Sequence, residues 1–308
     1  MGDFVYLVST DGTLHALDLA DGKQRWSAPI GLEADSSPTI VDGLVVLSAE
    51  NGAHAFAAAD GRAVWATPGT GPVRGTPAVI GHMAVFASET GTVTALDTRS
   101  GTILWTHAVD AADNSSLAAA GGIVVLGLQD GVVVALSMQD GKQRWRTDTG
   151  DHTRIGTPTI AGGRVFIATL DDNGPGTHHI AALDLATGRL LWRFASPGDV
   201  PAYTPAIAGG LAIVDSESGS VTALDVATGR VRWQAKAPGL VEVVSAVSGG
   251  VAYAASNGGV AFALDIATGA ERWRVPIEGV PYGAAVTSGL VLVGTDSGIL
   301  YAIGGSGT

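Results

Sequence analysis

The 308-residue chain contains no cysteine. That excludes disulfide bonds and thiolate metal sites, while leaving the compartment open, because a core of this size needs no covalent staples. Charge is also scarce: Lys, Arg, Asp and Glu supply 15% of the residues, against about 25% in ordinary globular proteins. The charge present leans acidic, with 17 basic and 29 acidic side chains and a net charge of −12. This balance opposes docking on phosphate backbones or anionic lipid, so no nucleic-acid partner is expected. The longest apolar stretch, Leu117–Leu128, is interrupted by Gly121 and Gly122, well short of the about 20 residues that span a bilayer. Direct membrane insertion is not expected. No basic segment followed by a long apolar one opens the chain, and Tyr6 stands where a myristoylation signal needs Ser or Thr.

What the chain does have is apolar residues at 46%, 44 glycines and seven tryptophans. An apolar share of that size excludes disorder. Abundant glycine with little charge points to many tight turns joining strands covered on both faces. The tryptophans, Trp26, Trp65, Trp105, Trp145, Trp192, Trp233 and Trp273, follow one another at spacings of 39, 40, 40, 47, 41 and 40 residues. An alanine stands ten residues before each (Ala16 and Ala223, for example) and a glycine four before (Gly22 and Gly229). Eight before comes Asp18, Asp97, Asp184, Asp225 or Asp265, with Ala57 and Ser137 as the exceptions. This is a repeat array.

Each repeat reads as four short strands, A to D. In the second repeat they are 37–41, 44–49, 53–58 and 63–67, separated by Asp42-Gly43, Asn51-Gly52 and Asp60-Gly61, which suit tight hairpin turns. Every connection within a repeat is therefore antiparallel, and no segment carries a helical period. Such units match propeller blades. The aspartate closing strand C suits acceptance of turn amides, the glycine a left-handed position, and the indole a wide contact on the neighbouring sheet, with alanine small where the ring passes.

The string Ala223-x-Asp225-x-x-Thr228-Gly229-x-x-x-Trp233 resembles the tryptophan-docking motif of pyrroloquinoline quinone-like β-propeller repeats, and the resemblance spans essentially the whole chain. It implies one domain over 1–308, an all-β propeller of four-stranded antiparallel blades. The count is eight B, eight C, seven D and seven A strands, thirty against the thirty-two of a complete eight-bladed ring. The expectation is eight blades with an incomplete closing seam and a missing segment upstream of Met1; the alternative is seven blades. An open seam suits self-association or strand donation by another chain.

Candidate site residues come from the entries to the innermost strands, Asp35, Arg74, Asn114, Arg154, Tyr203, Glu242 and Tyr282, with Asp113, Asp151 and His152 near them. A mixed set of carboxylates, guanidiniums and phenols at a channel mouth suits a protein segment or a small polar ligand; solvated loop side chains look the same. The fifth repeat carries seven extra residues between Leu170 and Ile180, where Asp171, Asp172 and Asn173, with His178 and His179, are weak metal candidates. Their spacing fits no established metal loop, and adjacent histidines on a strand face opposite ways. No metal is expected there.

The resembling family spans quinoprotein alcohol dehydrogenases, a non-enzymatic envelope lipoprotein and kinase-linked sensor propellers, and a fold signature does not choose among them. The dehydrogenases require a Ca²⁺-binding Glu and Asn, a catalytic Asp, an Arg by the quinone and, typically, vicinal cysteines. Asp113, Asn114, Arg154 and Glu242 match by type alone, and no cysteine exists. The expectation is a non-catalytic, extracytoplasmic binding or scaffold propeller of bacterial style, a sensor or protein-interaction domain without cofactor. The alternative is an oxidoreductase using pyrroloquinoline quinone and Ca²⁺.

Overall fold

Hairpin chemistry organises the chain before any packing does. At the turn between the first two strands of the second repeat, Asp42 and Gly43 hold φ of 51° and 76°, the paired positive values of a type I′ turn whose twist matches the flanking strands. The C–D turns are wider. The Asp225 amide donates to the Arg230 carbonyl at 2.9 Å and the Gly229 amide to the Asp225 carbonyl at 2.8 Å. The first repeat uses the same pair of bonds through Asp18, Lys23 and Gly22.

The computed structural model describes residues 4–31, 36–68, 73, 75–110, 117–150, 154–170, 177–197, 204–216, 218–237, 239, 241, 246–287 and 289–304. These gather into two compact units, Met1–Thr157 and Pro158–Thr308. The first unit holds four antiparallel sheets. They are β1 (Phe4–Ser9), β2 (Thr13–Asp18) and β3 (Gln24–Pro29); β4 (Thr39–Val41), β5 (Leu44–Ala49), β6 (Gly52–Ala57) and β7 (Ala63–Pro68); β8 (Ala78–Ile80), β9 (Met83–Ala87), β10 (Thr92–Asp97) and β11 (Ile103–Ala108); and β12 (Ala118–Ala120), β13 (Ile123–Gly127), β14 (Val132–Ser137) and β15 (Gln143–Asp148). The two-residue β16 (Arg154–Ile155) follows.

The second unit holds β17 (Thr159–Ala161), β18 (Arg164–Leu170), β19 (Thr177–Asp184) and β20 (Leu190–Pro197); β21 (Ala206–Ala208), β22 (Leu211–Asp215), β23 (Ser220–Asp225) and β24 (Val231–Lys236); β25 (Ala246–Ser248), β26 (Val251–Ser256), β27 (Val260–Asp265) and β28 (Glu271–Pro276); and β29 (Pro281–Thr287), β30 (Leu290–Thr295) and β31 (Leu300–Ile303). The fold is an all-β propeller of eight blades. Among the described residues the only helical element is a 3₁₀ turn, Gln129–Gly131. The first and eighth sheets have three strands, β1-β2-β3 and β29-β30-β31, and the sheets between them have A, B, C and D.

Each C–D pair sets alanine directly opposite tryptophan, as in Ala95↔Trp105 and Ala223↔Trp233, and slips register immediately afterwards. The slip leaves the residue before the tryptophan without a partner, because Leu224 pairs with Val231 and skips Arg232. A bulge of this kind re-aims the extra side chain. The core is distributed as layers between neighbouring sheets. Leu14, Val45, Leu47 and Phe56 fill the space between the first two sheets, and Val93, Leu126, Val134 and Leu136 that between the third and fourth. In the second unit Phe262, Val221 and Ile213 lie between the sixth and seventh.

The indoles tie these layers. Trp26 donates to the Ala58 carbonyl at 3.1 Å, Trp65 to Thr98 at 2.8 Å, Trp105 to Met138 at 2.8 Å, Trp192 to Val226 at 3.0 Å and Trp233 to Ile266 at 2.8 Å. Each ring also covers the turn glycine of the next repeat. A Cβ added to Gly141 would stand 2.5 Å from Cε3 of Trp105, and one added to Gly229 would stand 2.6 Å from Cε3 of Trp192. The glycine is therefore required twice, by its positive φ and by the indole above it.

Candidate functional site

Of the residues expected at the strand entries, Asp35, Arg74, Asn114, Tyr203 and Glu242 lie outside the described residues, as do Asp113, Asp151 and His152. Arg154 and Tyr282 are described. Arg154 opens β16 in the first unit with an exposed side chain, while its neighbour Ile155 is buried. Ile155 packs against the backbone of Gly127, where an added Cβ would stand 2.5 Å from its own. Tyr282, in β29 of the second unit, is 77% exposed.

Asp171, Asp172 and Asn173 also lie outside the described residues. The histidines that follow are both buried, and the His179 amide donates to Thr169 Oγ1 at 3.1 Å, inside the β18–β19 hairpin. Elsewhere, His15 is held between Ser9 Oγ at 3.0 Å and Gln24 Oε1 at 2.9 Å. Burial pushes the His54 imidazole below its ordinary value.

Reading the residues singly misses Asp215. This carboxylate ends β22 and is 2% exposed. The same position in the other repeats carries Val8, Ser48, Ala87, Gly127, Ala168, Ala255 and Gly294. Ser48 shows where the position points, since its Oγ donates to the Gly75 carbonyl at 2.8 Å, just ahead of β8. The Ser48 side chain thus supports a strand entry. The signal that finds Asp215 is a column-by-column comparison of the repeats, in which it is the one acid.

The turns between C and D strands show the clearest polar chemistry. Asp225 Oδ1 accepts from the amides of Ala227 and Thr228 at 3.1 and 3.0 Å and from the Thr228 hydroxyl at 2.9 Å. Asp265 repeats the pattern with Ala267 and Thr268, and its Oδ2 accepts from Arg272 at 2.6 Å. The Arg272 and Thr268 hydrogen bonds hold the Asp265 carboxyl down to about 2. Arg25 lowers Asp18 in the same way, and the Thr228 hydroxyl leads the lowering of Asp225. These carboxylates are locked as acceptors and are poor candidates for proton transfer near neutrality.

In the fourth repeat Ser137 replaces that aspartate. Beside it lies an opening of about 400 Å³ lined by Ile80, Met83, Gly121, Gly122, Ser137, Met138, Gln139 and Arg144. Its floor is backbone already engaged: the Met138 amide donates to the Gly122 carbonyl at 2.9 Å and the Met138 carbonyl accepts the Trp105 indole. A quinone with Ca²⁺ needs carboxylate and neutral oxygen donors converging on the ion. Among the described residues no group of three or more His, Asp or Glu side chains stands close enough to hold a metal ion, and Asp113, Asn114 and Glu242 lie outside them.

A family profile described as outer membrane protein assembly factor BamB matches residues 1–67, 41–171 and 152–308. The outer membrane protein assembly factor BamB of Yersinia pestis is 27% identical over 207 residues, covering 62% of this chain and 41% of that protein. Quinohemoprotein alcohol dehydrogenase ADH-IIG of Pseudomonas putida is 32% identical over 124 residues, 35% of this chain and 17% of that enzyme. The aligned stretches thus span less than half the length of these curated relatives. The crystal structure of BamB from Moraxella catarrhalis superposes with a TM-score of 0.81 at 19% identity, covering 98% of this chain and 94% of that one, a likeness of fold.

Proposed function

Because the chain belongs to the outer membrane protein assembly factor BamB family, we propose that it works as a non-catalytic, extracytoplasmic scaffold that binds protein partners during outer-membrane protein assembly. The observation carrying this reading is where the carboxylates go. Oδ1 of Asp18, Asp184, Asp225 and Asp265 accepts from turn amides, joined by a threonine hydroxyl in the last three, so the repeated acid is architecture. A propeller stiffened in this way offers loops and strand edges to other chains. Arg154 and Tyr282, both exposed, belong to that offered surface, and a partner that donates a strand to an open blade fits the same role.

Two measurements test it together. Exported to the periplasm of a Gram-negative strain lacking its own assembly factor, the chain is expected to restore outer-membrane porin levels. Supplied with pyrroloquinoline quinone and Ca²⁺, the purified chain is expected to show no dye-linked alcohol oxidation. Turnover with the quinone, together with failure to restore porins, overturns the scaffold reading in favour of the oxidoreductase that the local 32% identity to the dehydrogenase raises.

A further inference from the structure

Four repeats place an arginine immediately before the indole: Arg25, Arg144, Arg232 and Arg272. This is the bulged residue of each C–D pair, turned out of the ladder. In three of the four it reaches back to the aspartate that closes strand C. Arg25 pairs with Asp18, Arg232 with Asp225 at 3.3 Å and Arg272 with Asp265 at 2.6 Å. In the second repeat aspartate and arginine are lost together, to Ala57 and Val64. The fourth repeat alone keeps the arginine and loses its acid. There, among the described residues, Arg144 Nη2 meets only the Ser137 hydroxyl, at 3.5 Å. The acid of that turn, Asp140, is engaged by Ser137 and by Lys142 at 3.0 Å.

The unneutralised guanidinium lines the opening of about 400 Å³ whose apolar wall is Ile80, Met83 and Met138. Ile80 is 39% exposed, an aliphatic side chain left open beside a cation. Thioethers adapt their shape to what they cover, and a guanidinium grips a carboxylate through paired N–H donors. We infer that this groove docks a segment of a partner polypeptide carrying a carboxylate next to an aliphatic side chain. The carboxylate takes the place on Arg144 that an aspartate fills in the sister repeats, and the aliphatic group covers Ile80, Met83 and Met138. The assignment rests on the scaffold reading above and names the chemistry of one partner contact.

The chain has three methionines, Met1, Met83 and Met138, so methyl-¹³C-methionine NMR reads the groove directly. The probe is acetyl-Gly-Glu-Leu-Gly-amide, with its Gln analogue as control. Titration is expected to move the Met83 and Met138 methyls in a saturable way and to leave Met1 in place. Affinity is expected to fall at least tenfold for the Gln analogue and for the Arg144→Gln and Ser137→Asp chains. Ser137→Asp installs the acid that pairs with arginine in three sister repeats, and its thermal midpoint checks that the fold is kept. Equal binding of both peptides, or undiminished binding by both variants, overturns the inference. So does an absence of methyl movement at millimolar peptide. Octanoate displacing the probe at equal concentration reassigns the groove to a free carboxylic acid, and methyl shifts that follow protein concentration alone reassign it to a second copy of the chain. Porin restoration by the wild-type chain is scored separately. If it holds while groove binding fails, the scaffold stands and the groove falls.

Discussion

The fourth and sixth blades share a skeleton and differ at one turn. Both set alanine opposite tryptophan, Ala135↔Trp145 and Ala223↔Trp233, and both slip register at the next residue. Both lay a neighbouring indole on the turn glycine, Trp105 on Gly141 and Trp192 on Gly229. At the closing acid they part: Asp225 holds three turn donors and Arg232, whereas Ser137 leaves Arg144 without an ion pair among the described residues. Contacts that set blade spacing are thus held constant, while the polar clasp of the turn is free to change. What binds blade to blade is shape under an indole; what a blade offers outward is decided a few ångströms away.

The largest test of that division strikes the constant part. Gly141→Ala and Gly229→Ala are each expected to cost about 2–4 kcal/mol, from a left-handed backbone position combined with overlap on the ring. Gly162→Ala, at φ +55° with nothing within 4 Å of an added Cβ, is expected to cost only about 1 kcal/mol. Urea midpoints of the three variants check this, and equal losses would break the claim that the indole imposes a second requirement. Next in size, Trp105→Phe and Trp192→Phe each leave a carbonyl without its donor, an expected loss of about 1–3 kcal/mol. The same midpoints read it, and the two blades should respond alike.

The variable part carries smaller effects of opposite sign. Asp225→Ser should lower the thermal midpoint, because the turn amides lose a charged acceptor, and Ser137→Asp should leave it unchanged or raise it. A drop in both would show that the fourth turn is adapted to serine. The smallest effect is with pH. Asp265 has its carboxyl held at about 2 against an ordinary 3.8, so its stabilisation is fully present above the unfolded value and is lost as pH falls from 3.8 towards 2. Asp18, Asp184 and Asp225 shift in the same direction. Comparing the Asp265→Asn chain with the parent across that window should show a gap that closes on acidification.

Much of the architecture could be read before any coordinates, because glycine-containing turns and a tryptophan every forty residues are local signals. All thirty strands expected are present, and β16 is an addition of two residues. The strand expected at 37–41 begins only at Thr39. Pro38 has no N–H for the ladder, and the Ser37 amide instead donates to Thr76 Oγ1 at 3.3 Å. The site was far less legible. Position at a strand entry together with polarity does not distinguish a binding side chain from a solvated one, and of the entry residues only Arg154 and Tyr282 are described. Asp215 and Arg144 emerge from the contrast between copies: an acid where the others are small, and a cation whose acid is gone.

Met138 is pinned through both its amide and its carbonyl, one to Gly122 and one to the Trp105 indole. The seat beneath the groove is therefore ordered by the fold itself. A guest arriving there need not freeze the host backbone, so little of its interaction is consumed in conformational entropy, and a contact of only two side chains can still hold.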